Sequence, residues 1–204
     1  MNLLQLLQLL EFIGVVAFAL SGVIEGKRKK VDPVGVFVLA FITAFGGGTV
    51  RDLLLDRRPF YWVQHESYVL VVFAMTLAAP LVMKLTHRHL PLWLFILADA
   101  VGLALFSVAG TAMAIEAGLP AFSATMVGVI TGVFGGLLRD VFLNEVPMVL
   151  NDGKPYATVA FAGNWIYLAL VWLGLSEFSS LWIASVATVV IRMLAWRREW
   201  RVAY

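Results

Sequence analysis

The chain has 204 residues, of which 61% are hydrophobic and 14% charged, with a mean hydropathy of +0.90. Soluble domains carry about 25% charged residues, so this much apolar sequence excludes a water-soluble fold and points to lipid as the solvent. The net charge of +2 and the scattering of basic residues among short loops give no nucleic-acid footprint, and the absence of cysteine excludes disulfides and thiolate metal sites.

A bilayer-spanning helix needs about 20 mostly apolar residues. Seven stretches meet or approach that length: 3–24, 34–55, 67–83, 92–115, 122–143, 157–175 and 181–196. Turn and charge signals separate them, at 27–33, 57–59, 87–91, 118–120 and 152–155. Trp62, Trp93, Trp165, Trp182 and Trp196 lie near the ends, as an interfacial aromatic belt does. The first stretch lacks a basic leader and is interrupted by Glu11, so it is read as a retained helix and not as a cleaved signal.

Lysine and arginine set the orientation of such a chain. With seven spans, Lys27, Arg28, Lys29, Lys30, Lys84, Arg88, Arg139, Lys154, Arg192, Arg197, Arg198 and Arg201 share one side, and Arg51, Arg57 and Arg58 the other. The N-terminus is therefore expected outside and the C-terminus in the cytoplasm. The basic run at 27–30 sets topology and is also placed to touch anionic lipid heads.

Shifted by 88 residues, the chain aligns with itself. Glu11 meets Asp99, Gly14 meets Gly102, Phe18 meets Phe106 and Gly22 meets Gly110. Thr43 falls on Thr131, Gly47-Gly48 on Gly135-Gly136, Arg51-Asp52 on Arg139-Asp140, and Tyr68 on Tyr156. Matched acids, Arg-Asp pairs and double glycines in one register are hard to obtain by chance. The expected architecture is all-α and integral to the membrane, in one domain: a three-helix repeat over 1–88, an inverted copy over 89–176, and a seventh helix with a basic tail over 177–204. Inverted repeats of this kind are common in transport proteins, whose solute path runs near the midplane.

Gly46, Gly47, Gly48 and Thr49 lie deep in the second span, and Gly135 and Gly136 in the fifth. Consecutive glycines weaken a helix by about 1 kcal/mol each relative to alanine, so both helices are predicted to break there. Broken backbone survives in a membrane only inside protein or beside water. Exposed carbonyls and amides could then replace part of an ion's hydration shell. The competing reading is close helix packing through small residues.

Each glycine segment is followed by an Arg-Asp pair, and an intramembrane charge costs about 2.5–3.5 kcal/mol on insertion scales. The symmetry offers two pairings, Glu11 with Arg51 and Asp99 with Arg139, with Asp52 and Asp140 beside them. On the first helix Glu11, Gly14, Phe18, Gly22 and Glu25 share a face, and on the fourth Asp99, Gly102, Phe106, Gly110 and Met113 do. Such a stripe suits a pore wall or a tight helix contact. The histidines, His65, His87 and His89, fall in predicted loops, and no hydrolase, zinc-protease or P-loop motif is present, so an enzyme is not expected.

Beyond these features the sequence resembles the prokaryotic members of the trimeric intracellular cation channel family, also grouped as glycine-transporter domains and as a bacterial membrane family. The resemblance rests on the segments 18–22, 46–55 and 59–63, and in the second repeat on 99–103, 135–141, 145–147 and 156–158. It implies a homotrimer in the inner or plasma membrane of a bacterium or archaeon, with one pore per protomer. It implies permeant potassium or sodium ions, no cofactor, bends at Gly46, Gly47, Gly48, Gly135 and Gly136, and Arg51, Asp52, Arg139 and Asp140 near the path. Phe134 stands where the family's second glycine triplet begins, and Asp56 where the family often has glycine. A secondary carrier for a small zwitterion such as glycine is the competing function, and a structural or lipid-interacting membrane protein a third.

Overall fold

The structure, a computed structural model, describes residues 3–86, 91–150 and 155–201. His87, Arg88, His89 and Lys154 lie outside the described residues. Eight α-helices are present among those described: α1 Leu3–Arg28, α2 Pro33–Leu54, α3 Tyr61–Gln64, α4 Glu66–Thr86, α5 Leu92–Glu116, α6 Ala121–Phe142, α7 Ala157–Trp172 and α8 Glu177–Arg197. A single 3₁₀ turn at Met148–Leu150 follows α6.

The helix count expected from hydropathy is one short. The additional helix, α3, has four residues and no apolar run to announce it. It forms because the Asp52 carboxylate, at the end of α2, accepts a 2.8 Å hydrogen bond from the Tyr61 amide and so satisfies a donor at the helix start.

Local chemistry sets the ends of the long helices. Asp32 caps α2 by accepting from the Gly35 amide at 2.6 Å, with Pro33 in the first turn, and Ser176 caps α8 through the Ser179 amide at 3.2 Å. Gly118 after α5 and Gly174 after α7 have φ of 83° and 85°, the left-handed conformation that closes a helix C-terminus. Asp56 after α2 and Asn144 after α6 take the same conformation, at 50° and 55°. Backbone bonds from Arg57 to Asp52 and from Glu145 to Asp140 complete both turns. Both turns are therefore made without glycine, since Asp and Asn tolerate this region better than most residues.

Five helices, α1, α2, α5, α6 and α8, are long and apolar enough to cross a membrane. At 16 residues α7 is ~24 Å long, shorter than the ~30 Å hydrocarbon core. Burial runs opposite to that of a soluble protein. Leu70, Phe73, Leu77 and Leu81 make an exposed stripe on α4, and Ile183, Val186 and Val190 one on α8, while Glu11, Arg51, Asp99, Arg139 and Arg192 are buried. The chain is a multi-pass membrane protein whose apolar face meets lipid and whose charges face inward.

At the centre α1 packs along α5 and α2 along α6, and both contacts are reciprocal at the 88-residue offset. A methyl group on Gly14 would lie 2.9 Å from the Phe106 ring, and one on Gly102 would collide with the Phe18 ring. Between them the two rings stack with centroids 5.5 Å apart. Equivalent residues touching crosswise is the contact pattern of a two-fold axis. It also decides the α1 and α5 stripes: their glycines serve tight helix contact.

Candidate functional site

The glycine segments do not break their helices. Both α2 and α6 run as unbroken α-helix through Gly46–Gly48 and Gly135–Gly136. The physical reason is close packing. A Cβ on Gly47 would collide with the Thr131 carbonyl oxygen, and a Cβ on Gly135 with the Thr43 carbonyl oxygen, so α2 and α6 cross backbone to backbone. Small residues are what let two helix backbones approach this closely. Each neighbouring glycine has its own close partner: Leu138 Cδ1 beside Gly46, the Tyr61 ring beside Gly48, and the Tyr156 hydroxyl beside Gly136. Thr49 bonds back to the Phe45 carbonyl at 2.8 Å and accepts from the Trp62 indole at 3.2 Å.

On either side of this crossing lies a buried charge cluster. Toward the N-terminal face Arg51 donates to Glu11 at 2.5 Å and to Asp52 at 2.7 Å. Toward the opposite face Arg139 donates to Asp99 at 2.7 Å and to Asp140 at 2.9 Å. All six side chains are less than a tenth exposed. In each cluster the carboxylate next to the arginine has a second duty. Asp52 accepts from the Tyr61 amide, and Asp140 accepts from the Met148 amide at 2.9 Å. The two loops that follow α2 and α6 are thus pinned to the clusters by matching bonds. Two carboxylates face one guanidinium in each, an excess of one negative charge.

The clusters differ in their surroundings. The first opens into a cavity of about 50 Å³ at the N-terminal face, whose lining includes Glu11, Arg51, Asp52, Arg57, Tyr61 and His65. In the second, Arg139 lies over the Phe95 ring at 4.7 Å and donates to Met148 Sδ at 3.5 Å and to the Ser21 hydroxyl at 3.1 Å. Outside the membrane-spanning segments, Lys29 donates to Glu145 and joins the α1–α2 loop to the α6–α7 loop. That hydrogen bond holds the Lys29 ammonium above its usual pKa range.

Of the residues singled out from sequence, Glu11, Arg51 and Asp52 come together, as do Asp99, Arg139 and Asp140, with the glycines between the two groups. Tyr61, Phe95, Met148, Tyr156 and Arg192 border the site and are not among the candidate site residues of the sequence. Arg192 reads from sequence as part of the basic tail, yet it is 2% exposed. A signal for it exists: Ser185, Thr188 and Arg192 recur at helical spacing on the buried face of α8.

Fold and site together define a helical membrane protein made of one charge-bearing unit used twice. The chain belongs to the family described as "Glycine transporter", whose model matches residues 8–84 and again 96–172. The second match begins 88 residues after the first, the offset of the internal repeat. Similar curated proteins are a UPF0126 membrane protein of Vibrio cholerae, 38% identical over 94% of this chain and 80% of its own length, and the UPF0126 inner membrane protein YadS of Escherichia coli, 38% identical over 92% and 90%. Among solved structures the fold matches a TRIC trimeric intracellular cation channel orthologue from Rhodobacter sphaeroides, with TM-score 0.84 and 32% identity over 95% of this chain and 98% of that one. A prokaryotic TRIC channel crystallised in 0.5 M KCl matches with TM-score 0.86 and 30% identity over 98% and 100%.

Proposed function

We propose that the protein is a cation channel: a homotrimer with one path per protomer, permeable to potassium and sodium. The observation that carries this reading is the likeness to TRIC channel structures over 95% of the chain. Local chemistry agrees with it. Each cluster holds two carboxylates against one arginine, and the one that opens to the cavity at the N-terminal face raises the local concentration of cations over anions. The path runs between the clusters, past the α2–α6 crossing, and the structure is its closed state. The glycines act by letting two backbones meet and seal, and conduction requires α2 and α6 to part at Gly47 and Gly135. In this reading the chain crosses the membrane seven times, as two inverted halves and a last helix, with the N-terminus outside and the basic C-terminus in the cytoplasm. Membrane lipids of a bacterial or archaeal inner or plasma membrane surround it.

Single-channel recording of the purified protein in a planar bilayer tests this. Discrete potassium currents, with potassium far more permeant than chloride, are expected. A silent bilayer that nonetheless exchanges labelled glycine in a saturable way would replace the channel by a secondary carrier for a small zwitterion. One feature favours that second reading: the cavity at the N-terminal face sets the Glu11 carboxylate near the guanidinium groups of Arg51 and Arg57, the charges that an amino acid's two ends would require.

A further inference from the structure

Among the described residues, Arg192 is the one buried arginine that the repeat does not explain. It lies on α8, outside both copies, and it forms no ion pair with a carboxylate among the described residues. Its Nη1 donates to the Pro155 carbonyl at 3.0 Å, and its Nε has no hydrogen-bond partner. Its guanidinium lies over the Tyr156 ring, 4.8 Å from the centroid. The Tyr156 hydroxyl in turn faces Gly136 beside Asp99. Asp99 Oδ2 is buried and makes no hydrogen bond of ordinary geometry among the described residues. A positive charge from α8 is thus brought, through one aromatic ring, to the cluster of Asp99, Arg139 and Asp140.

The other half of the molecule lacks this cation. Tyr68 occupies the repeat position equivalent to Tyr156, and its ring stacks on His65, with centroids 4.9 Å apart, where Tyr156 has a guanidinium. Arg57, which also lines the cavity there, is exposed, so water and salt screen it. Among the described residues the N-terminal-face cluster has no buried cation besides Arg51, whereas the opposite one has Arg192 one aromatic ring away.

We propose that Arg192 is a positioning residue for charge in the path. It neutralises the half nearer the C-terminus and makes cation flow asymmetric, easier for ions arriving from the N-terminal face. This inference rests on the channel reading and adds a direction to it. Attraction of cations by net negative charge is what sets their local concentration and rate of arrival.

The test is current recorded at both polarities in symmetric 0.1 M KCl, in patches whose orientation is fixed by a C-terminal tag. Current carried by ions arriving from the N-terminal face should exceed the reverse current by about two-fold. Arg192→Gln should bring the ratio to about one by raising the smaller current, and Arg192→Lys, which keeps the charge, should retain the wild-type ratio. A role limited to holding α7 would make Lys fail as Gln does, since Lys cannot reproduce the planar stacking. A wild-type ratio near one, an unchanged ratio in Arg192→Gln, or loss of the ratio in Arg192→Lys would each overturn the inference while leaving the channel standing. A wild-type protein without cation current removes both. Should Arg192→Gln not assemble, barium block of the unaltered protein decides: the half-blocking concentration should be several-fold lower from the N-terminal face, and equal values refute the asymmetry.

Discussion

Gly47 on α2 and Thr131 on α6 meet so closely that a single methyl group on the glycine would overlap the threonine carbonyl oxygen. The same contact recurs between Gly135 and Thr43, with the roles of the helices exchanged. The two halves of the protein are therefore joined through backbone, at the level where each helix carries its glycines, and the junction has no side chain that could rotate away.

This geometry separates the glycines by cost. Gly47→Ala and Gly135→Ala should each destabilise the protein by about 1–3 kcal/mol or more, the range for overpacking a tight contact. Gly46→Ala should cost less than 1 kcal/mol, because the atom in its way is Leu138 Cδ1, the movable end of a side chain. Thermal unfolding in detergent checks the order, which equal melting temperatures for the three variants would contradict.

Removing the arginine of a cluster should hurt more than removing its distant acid. Breaking a buried pair costs about 3–5 kcal/mol because a charge is left without a partner. Glu11→Gln leaves Arg51 paired with Asp52, so its cost should lie at the low end of that range or below. Arg51→Gln leaves Glu11 and Asp52 buried together without a cation and should abolish folding or approach that. Asp99→Asn and Arg139→Gln should repeat the order. Expression and monodispersity of the four variants read it out.

Asp52 and Asp140 hold loops as well as charges. Replacing Asp52 by Ala removes the acceptor of the Tyr61 amide, and replacing Asp140 by Ala removes that of the Met148 amide. Hydrogen exchange should quicken locally, over 60–64 in the first variant and 147–150 in the second, by about ten-fold for a bond worth ~1 kcal/mol or somewhat more. Exchange rising equally across both loops in either variant would refute the separate assignment.

The Lys29–Glu145 bridge should persist throughout the neutral range. Its lysine has a pKa raised above 10.5, chiefly by the hydrogen bond to Glu145. A group raised on pairing stabilises fully below its ordinary pKa and loses that contribution as pH climbs through the raised value. Spin labels at positions 30 and 146 should therefore keep one distance from pH 7 to pH 9 and separate only in more alkaline solution. Lys29→Ala should give the separated distance at every pH, and high salt should loosen the bridge because both partners are exposed.

The repeat, the long helices and the partners within each cluster were legible in the sequence. Twenty-residue apolar runs have one stable solution in lipid, and a buried Arg51 or Arg139 had to find an acid, which the 88-residue register supplied as Glu11 and Asp99. The glycine segments were misread as breaks. Propensity counts the helix strength a glycine loses, whereas the contact it gains depends on Thr43 and Thr131, which lie on the opposite helix and are distant in sequence. The short helix α3 was missed for a related reason: its start is capped by Asp52, nine residues earlier, and not by its own neighbour.

Hydropathy and the internal register by themselves determined that this chain crosses a membrane repeatedly, that its sequence is one unit used twice, and which six charged residues pair in two clusters. Those are consequences of solvent and of pairing, and both act on residue type. Only the tertiary structure decided that α2 and α6 stay whole and lock together, that one cluster opens to a cavity and the other packs against Phe95 and Met148, and that Arg192 turns inward from α8. These depend on how near two helices come, a distance set by every packed side chain at once.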